Sequence, residues 1–280
     1  MSKSVSVVIP NFNGRQLLEK YLPSVIEALK HPAVSAFEII VCDDYSTDDS
    51  VDFLHTVYPS ITVLTSSVNR GFSPTSNRGI TQAKKDTVLM LNTDMELQPD
   101  TVGVLMDALT NDRFGVTCAI CNPADGSIQE GLKLREEHGC KLSYRDVTDD
   151  GIEGETMYLC GGIALIDRNK LQALGGYDER YAPFYYEDLD LSLRAKENGW
   201  TSWYTTRTHV LHQHAATIGS HFTKEQVANV FIRNRVLASW RFMPHKRIQI
   251  RCNALFHALQ EKLARKTFRP YSEALWLISR

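Results

Sequence analysis

The chain of 280 residues is long enough for one large domain or two small ones, and its 43% hydrophobic content can bury a substantial core. A net charge of −2 excludes a general binder of polyanions, so no nucleic-acid partner is expected. No run approaches the ~18 apolar residues of a membrane span, and Met1-Ser2-Lys3-Ser4 enters a strand with no signal-peptide pattern, so a cytoplasmic protein is expected.

Residues 5–9 form a near-continuous apolar run, as in a strand buried on both faces. Leu17, Leu18, Tyr21, Leu22, Val25, Ile26 and Leu29 follow at helical spacing, with Pro23 predicting a kink or break. The pattern continues with a strand over 37–41, a helix over 48–57, a strand over 61–64, a helix over 74–83, a strand over 87–91 and a helix over 99–109. Such alternation predicts an α/β fold with a mostly parallel sheet and right-handed crossovers. Past Phe114 the rhythm changes. A strand is expected over 115–120, a turn at Asp125-Gly126, and an irregular loop over 131–155 that covers the site. Strands are expected over 157–160 and 163–166, with Gly175-Gly176 stopping a short helix.

From Thr223 onward the chain is helical in pattern and carries twelve Lys/Arg against three Glu. This tail fits either contact with phosphate-rich material or a solvated helical surface. The six cysteines are scattered, and Cys118-Ala119-Ile120-Cys121 has no second pair or His cluster to complete a zinc site. The expected division is 1–222 (a nucleotide-binding half, 1–110, and an acceptor half, 111–222) followed by a basic helical extension, 223–280.

In an open parallel sheet, ligands sit outside the carboxyl ends of the strands. Three such ends here are rich in Asp and Asn: Pro10-Asn11-Phe12-Asn13-Gly14, Asp43-Asp44-Tyr45-Ser46-Thr47-Asp48 and Asn92-Thr93-Asp94. Ser46 or Asp48 suffices to cap the next helix, which leaves Asp43 and Asp44 to accept from a base N–H or a ribose hydroxyl. Asn92 and Asp94 project to one side of an extended segment. Asp94 reads either as a ligand for Mg²⁺ or Mn²⁺, hard ions that take oxygen ligands, or as part of a strand-exit turn. Glu187, Asp188 and Asp190 open a further helix, where dipole and capping effects explain one or two carboxylates more readily than three. His212 and His214 alternate on a strand, as metal ligands or as hydrogen-bonded structure.

Together these motifs resemble glycosyltransferase family 2, the inverting nucleotide-sugar transferases of the GT-A fold, and most nearly its rhamnosyltransferase-like branch. The family's opening strand and Pro-x-Tyr-Asn correspond to Val7-Val8-Ile9-Pro10-Asn11-Phe12-Asn13. Its Asp-Asp-x-Ser-x-Asp corresponds to Asp43 through Asp48, and its Asn-x-Gly-Phe to Asn69-Arg70-Gly71-Phe72, followed by Asn77. Its Asp-x-Asp is present as Asn92-Thr93-Asp94, a departure at the first position. Cys160-Gly161-Gly162 matches the glycine loop, Glu187-Asp188 the Glu-Asp motif, and His212 the C-terminal His. The resemblance spans residues 4–235, with these motifs in order.

The resemblance implies a GT-A fold with a helical C-terminal extension and a nucleoside-diphosphate sugar as donor. It implies Mg²⁺ or Mn²⁺ on Asp94 and His212, with Asp188 as general base and Glu187 and Asp190 in reserve. Pro10, Asn11, Asn13, Asp43, Asp44, Arg70, Asn77, Asn92, Gly161 and Gly162 are the expected donor-site residues, with Arg78 near the diphosphate. The acceptor would be a saccharide or a lipid-linked molecule in cell-surface glycan synthesis. The basic tail would then either touch the inner face of the membrane peripherally or serve as a packing or homodimer helix. The rival readings are a sugar nucleotidyltransferase and a catalytically degenerate scaffold or sugar-binding protein.

Overall fold

The computed structural model describes residues 3–149, 151–212, 222–264 and 266–279; His214 lies outside the described residues. Strand β1 (Lys3–Asn11), helix α1 (Arg15–Ala28), β2 (Val34–Asp43), α2 (Ser50–Val57), β3 (Thr62–Leu64), α3 (Phe72–Gln82) and β4 (Thr87–Leu91) alternate as expected. They are followed by β5 (Met95–Leu97), α4 (Thr101–Ala108), β6 (Arg113–Cys121), β7 (Ile128–Glu130), β8 (Leu132–His138), β9 (Lys141–Val147) and β10 (Gly154–Glu155). Then come β11 (Ile163–Asp167), α5 (Arg168–Ala173), α6 (Glu187–Glu197) and β12 (Thr201–His212). Three helices end the chain: α7 (Lys224–Phe242), α8 (Arg247–Leu263) and α9 (Pro270–Ile278).

The main sheet runs β10-β12-β6-β11-β4-β1-β2-β3, with β5 beside β12 and β7 beside β6. Pairing is parallel from β4 through β3, and again between β12 and β6. β11 is inserted antiparallel between β4 and β6, which makes the sheet mixed. Val5, Val7 and Val8 of β1 have no exposed surface, the burial that parallel neighbours and covering helices require. One face packs on α1 and α4 through residues such as Leu18, Leu22 and Leu105. The other packs on α3 and α6 through Ile80, Leu191 and Ala195. A third cluster joins the β8–β9 hairpin, α6 and α7 through Leu142, Leu189, Leu237 and Phe242.

One expectation is narrowed and two are corrected. Helix α1 passes through Pro23 without ending. Pro23 lies on the exposed side, while Leu18, Tyr21, Leu22, Val25 and Ala28 fix both halves of the helix to the sheet. The polar stretch 131–155, expected to be an irregular loop, instead forms the antiparallel hairpin β8–β9 and the short β10. Its charges answer one another across the strands. Lys133 lies opposite Asp146 and pairs with it, and Arg145 Nε donates to Glu136 Oε1 at 3.2 Å. Residues 157–159 are buried and Cys160 is half-buried, but the stretch forms no strand, because its backbone bonds go elsewhere. Met157 N donates to Lys133 O at 2.7 Å and Leu159 N to Ser192 Oγ at 3.0 Å.

Close approach of α3 to the sheet depends on Gly79. A Cβ there would sit 2.4 Å from Val8 Cγ1 and 2.7 Å from Cys42 Sγ. Gly79→Val is therefore expected to lower stability by about 1–3 kcal/mol, seen as a lower urea midpoint at unchanged slope. A midpoint equal to wild type would mean that the helix backs away freely.

Candidate active site

The register of the central strands builds the first half of the site. Asn11 and Asp43, the last residues of β1 and β2, are direct neighbours, and Asn11 Nδ2 donates to Asp43 Oδ1 at 2.9 Å. Asp43 Oδ2 accepts from Ser46 N at 3.0 Å, and Ser46 Oγ accepts from Asn13 N at 2.8 Å. Asn13, in the left-handed region at φ 50°, accepts from Thr47 N through its side chain at 2.7 Å. Asn11, Asn13, Asp43 and Asp44 thus knit the exits of β1 and β2 together at the carboxyl edge of the sheet, with Pro10 one residue back on β1.

Asp44, also buried, reaches a third loop, accepting from Arg70 N at 2.9 Å and Gly71 N at 2.8 Å. The next residue, Phe72, donates its N–H to Pro183 O at 2.8 Å. Gly71 has φ +86°, and a Cβ on it would lie 2.6 Å from Pro183 Cα. The Arg70 side chain is exposed, whereas the Arg78 guanidinium braces the loops by donating to the carbonyls of Asp43 and Thr65. Asn77 does not line this pocket with a free amide. It clamps a different segment, donating to Tyr177 O at 2.9 Å and accepting from Tyr177 N at 2.8 Å.

The second half centres on residues 160–162. Gly162 O accepts from Asn92 N at 3.0 Å, and Gly161 N donates to Asp188 Oδ2 at 3.2 Å. One glycine pair therefore joins the exit of β4 to the start of α6. A Cβ on Gly162 would meet Met95 Cε at 2.4 Å, so a side chain there would require the end of Met95 to give way.

Beyond Asn92, the buried Asp94 faces His212 at the end of β12, with 3.0 Å between Asp94 Oδ2 and His212 Nε2. The pairing of His212 with Met95 across β12 and β5 sets this meeting. Asp94 Oδ1 is buried and has no hydrogen-bond partner among the described residues. An orphaned carboxylate oxygen beside an imidazole fits a divalent cation. No group of three or more His, Cys, Asp or Glu gathers among the described residues, so the remaining ligands would be substrate phosphates and water.

The three carboxylates of α6 divide. Asp188 accepts from Leu189 N at 2.7 Å and from Gly161 N. Burial pushes its carboxyl up to about 6, with nearby Glu130 adding to the rise, while the two N–H donors and Lys133 act against it. Glu187 is driven well above the usual carboxylate range by burial and then by Asp188, and its Oε2 has no hydrogen-bond partner among the described residues. Asp190, expected as a reserve base, serves the frame instead. Fully buried, it pairs with Arg194 at 2.7 Å and Arg241 at 3.2 Å, and Arg194 also donates to the carbonyls of Leu174 and Gly176.

Sequence reasoning missed the hairpin's part. Lys133, buried, pairs with Asp146 and with Glu130 at 3.3 Å, and Cys160 Sγ lies 3.4 Å from Glu130 Oε2. Burial alone would lower the Lys133 ammonium; Glu130 and Asp146 outweigh it and hold it above its ordinary value. Tyr144 and Tyr158 stand edge to face at 5.1 Å beside it. The available signal was Lys133 and Asp146 placed symmetrically about the Gly139-Cys140 turn.

The Asp188 shift has a thermodynamic consequence. Below about pH 4 folded and unfolded chains both hold this proton; between about 4 and 6 only the folded chain does, so stability falls as pH rises through that window. Asp188→Asn removes the effect. Urea melts should find the variant more stable than wild type at pH 7 by about 3 kcal/mol and equal to it near pH 4. A variant less stable at pH 7 would contradict the assignment.

Residues 6–175 match Glycosyl transferase family 2. An N-acetylglucosaminyl-diphospho-decaprenol L-rhamnosyltransferase of Mycobacterium tuberculosis is 25% identical over 274 residues, covering 86% of this chain and 88% of that protein. A dolichol-phosphate mannosyltransferase of Pyrococcus furiosus is 30% identical over 110 residues, 38% of this chain and 30% of that protein. Among solved structures, GalNAc-T7 with UDP, GalNAc and Mn²⁺ superposes with a TM-score of 0.63 at 17% identity, over 83% of this chain and 47% of that one. A mannosyltransferase of Pyrobaculum calidifontis with GDP-Man and Mn²⁺ superposes with a TM-score of 0.61 at 15% identity, over 100% and 76%. The match covers well over half the chain and the fold agrees with it: the chain belongs to glycosyl transferase family 2 and has the GT-A fold.

Proposed function

We propose that the chain is an inverting hexosyltransferase. It would move a sugar from a nucleoside-diphosphate sugar to a hydroxyl of a saccharide or lipid-linked acceptor, in cell-surface glycan synthesis. The observation that carries this reading is the glycine pair Gly161-Gly162, which ties Asp188 on one side to the Asn92–Asp94 exit on the other. A base and a diphosphate-binding point are thereby held on either side of one short loop, the arrangement a displacement at an anomeric carbon requires. The lipid-linked acceptor is favoured by the mycobacterial relative, whose name specifies a diphospho-decaprenol substrate.

In this reading Asp43, Asp44, Pro10, Asn11 and Asn13 bind the base and ribose, and Arg70 meets the diphosphate. Asp94 and His212 would hold Mg²⁺ or Mn²⁺, which neutralises charge on the departing diphosphate. Asp188 takes the proton of the acceptor hydroxyl as that oxygen bonds to the anomeric carbon and the bond to the diphosphate oxygen breaks. Attack from the face opposite the leaving group inverts the configuration. One base suffices, in contrast to the carboxyl pair of glycosidases. The Asp188 carboxyl, pushed up to about 6, is poised for a base near neutral pH. A scaffold with no reaction to run would gain nothing from keeping it there. All six cysteines are free, in keeping with a reducing cytoplasm.

Calorimetry with UDP, dTDP, GDP and CDP, each with Mn²⁺ and with EDTA, is expected to find one nucleotide bound tightly only with the metal. Asp94→Asn should weaken that binding at least tenfold, to about the EDTA level; nucleotide binding indifferent to the metal would remove Asp94 and His212 from this role. Asp188→Asn should retain donor binding and lose about 10²–10⁴ in transfer rate. Wild-type kcat/KM should fall as pH drops below about 6, following the Asp188 proton. Near-normal turnover of Asp188→Asn would refute its role as base.

A further inference from the structure

Helix α8 presents apolar residues on both sides. Its inward face, with Ile250 and Ala254, is buried against the rest of the chain. Its outward face carries Ile248, Leu255, Phe256, Leu259 and Leu263. Ile248 is 82% exposed and Leu263 74%, and the other three are each more than half exposed. At 100° per residue these five fall in one stripe opposite the buried face. Arg247, Arg251 and Lys262, all exposed, run along one edge of the stripe, and Gln249 and Gln260 along the other. The helix's one acid, Glu261, is turned inward, where it accepts from Tyr271 N at 3.1 Å and Ser272 Oγ at 3.0 Å.

We propose that this stripe rests on an anionic lipid surface, with the apolar side chains at the headgroup–acyl boundary and the basic edge among lipid phosphates. Charge decides the occupant. A second copy packed antiparallel would set the basic edge against itself, and one packed parallel would set it against glutamines, so no acidic side chain of α8 answers it in either arrangement. An anionic bilayer answers it directly. Among the described residues no helix is long and apolar enough to cross a membrane, so α8 lies on the surface rather than in a span. The inference goes beyond the transferase reading and does not rest on it.

The test is flotation of the full chain with vesicles of phosphatidylcholine alone and of phosphatidylcholine with phosphatidylglycerol, read without any transfer assay. Wild type should float with the mixed vesicles and at least about tenfold less with phosphatidylcholine alone. Leu255→Gln/Leu259→Gln should lose about tenfold in partitioning at unchanged circular dichroism and melting temperature, since both side chains are exposed. Arg251→Gln/Lys262→Gln should lose about tenfold on mixed vesicles. Absence of flotation overturns the proposal, as does flotation undiminished by the leucine pair. Light scattering that finds a dimer dissolved by Leu255→Gln/Leu259→Gln, with no vesicle binding, assigns the stripe to a second copy and overturns it equally.

Discussion

Strand β1 has to be buried on both faces while keeping parallel partners on both edges, and the architecture of the site follows from that constraint. Its pairing with β2 sets Asn11 against Asp43, and its pairing with β4 brings Asn92 and Asp94 to the same edge of the sheet. No loop has to search for its partner, because the ladders deliver the loop ends side by side. The buried carboxylate of Asp43 then finds a backbone N–H donor three residues on at Ser46, and that of Asp44 finds two in the neighbouring loop at Arg70 and Gly71, which offsets the desolvation that burial imposes.

Helix α6 uses its own geometry to separate three acids that are nearly contiguous in sequence. Positions 188 and 190 lie about 200° apart around the axis. One carboxylate is therefore aimed at Gly161 and the other at Arg194 and Arg241. Full ion pairing makes Asp190 part of the scaffold. Burial leaves Asp188 and Glu187 with raised proton affinities and raises Asp190 as well, there against the pull of Arg194 and Arg241. The same helix is thus anchored by one acid and made reactive by its neighbours.

The β-α alternation was legible because strands buried on both faces are almost purely apolar and the helices between them keep a regular stripe. The motif residues were legible at strand ends for the same reason. The β8–β9 hairpin was not, since Lys133, Glu136, Arg145 and Asp146 make both of its faces polar and erase the alternation that marks a strand. The clamp that Asn77 makes on Tyr177 was not legible, because an amide that closes hydrogen bonds a hundred residues away looks no different in sequence from one that meets a ligand. Pro23 broke a local rule that packing of the opposite helix face overrides. For Asn77 and Pro23 the deciding contacts are long-range.

The segment Arg70–Phe72 is bonded to Asp44 at one end and to Pro183 at the other. Gly71 has room neither for a side chain nor for an ordinary backbone angle. Mechanically it is a short tie-rod of fixed length between the pocket proposed for the nucleotide and the chain entering α6. The two regions therefore cannot drift apart one at a time, and slack introduced at either anchor is transmitted to the other.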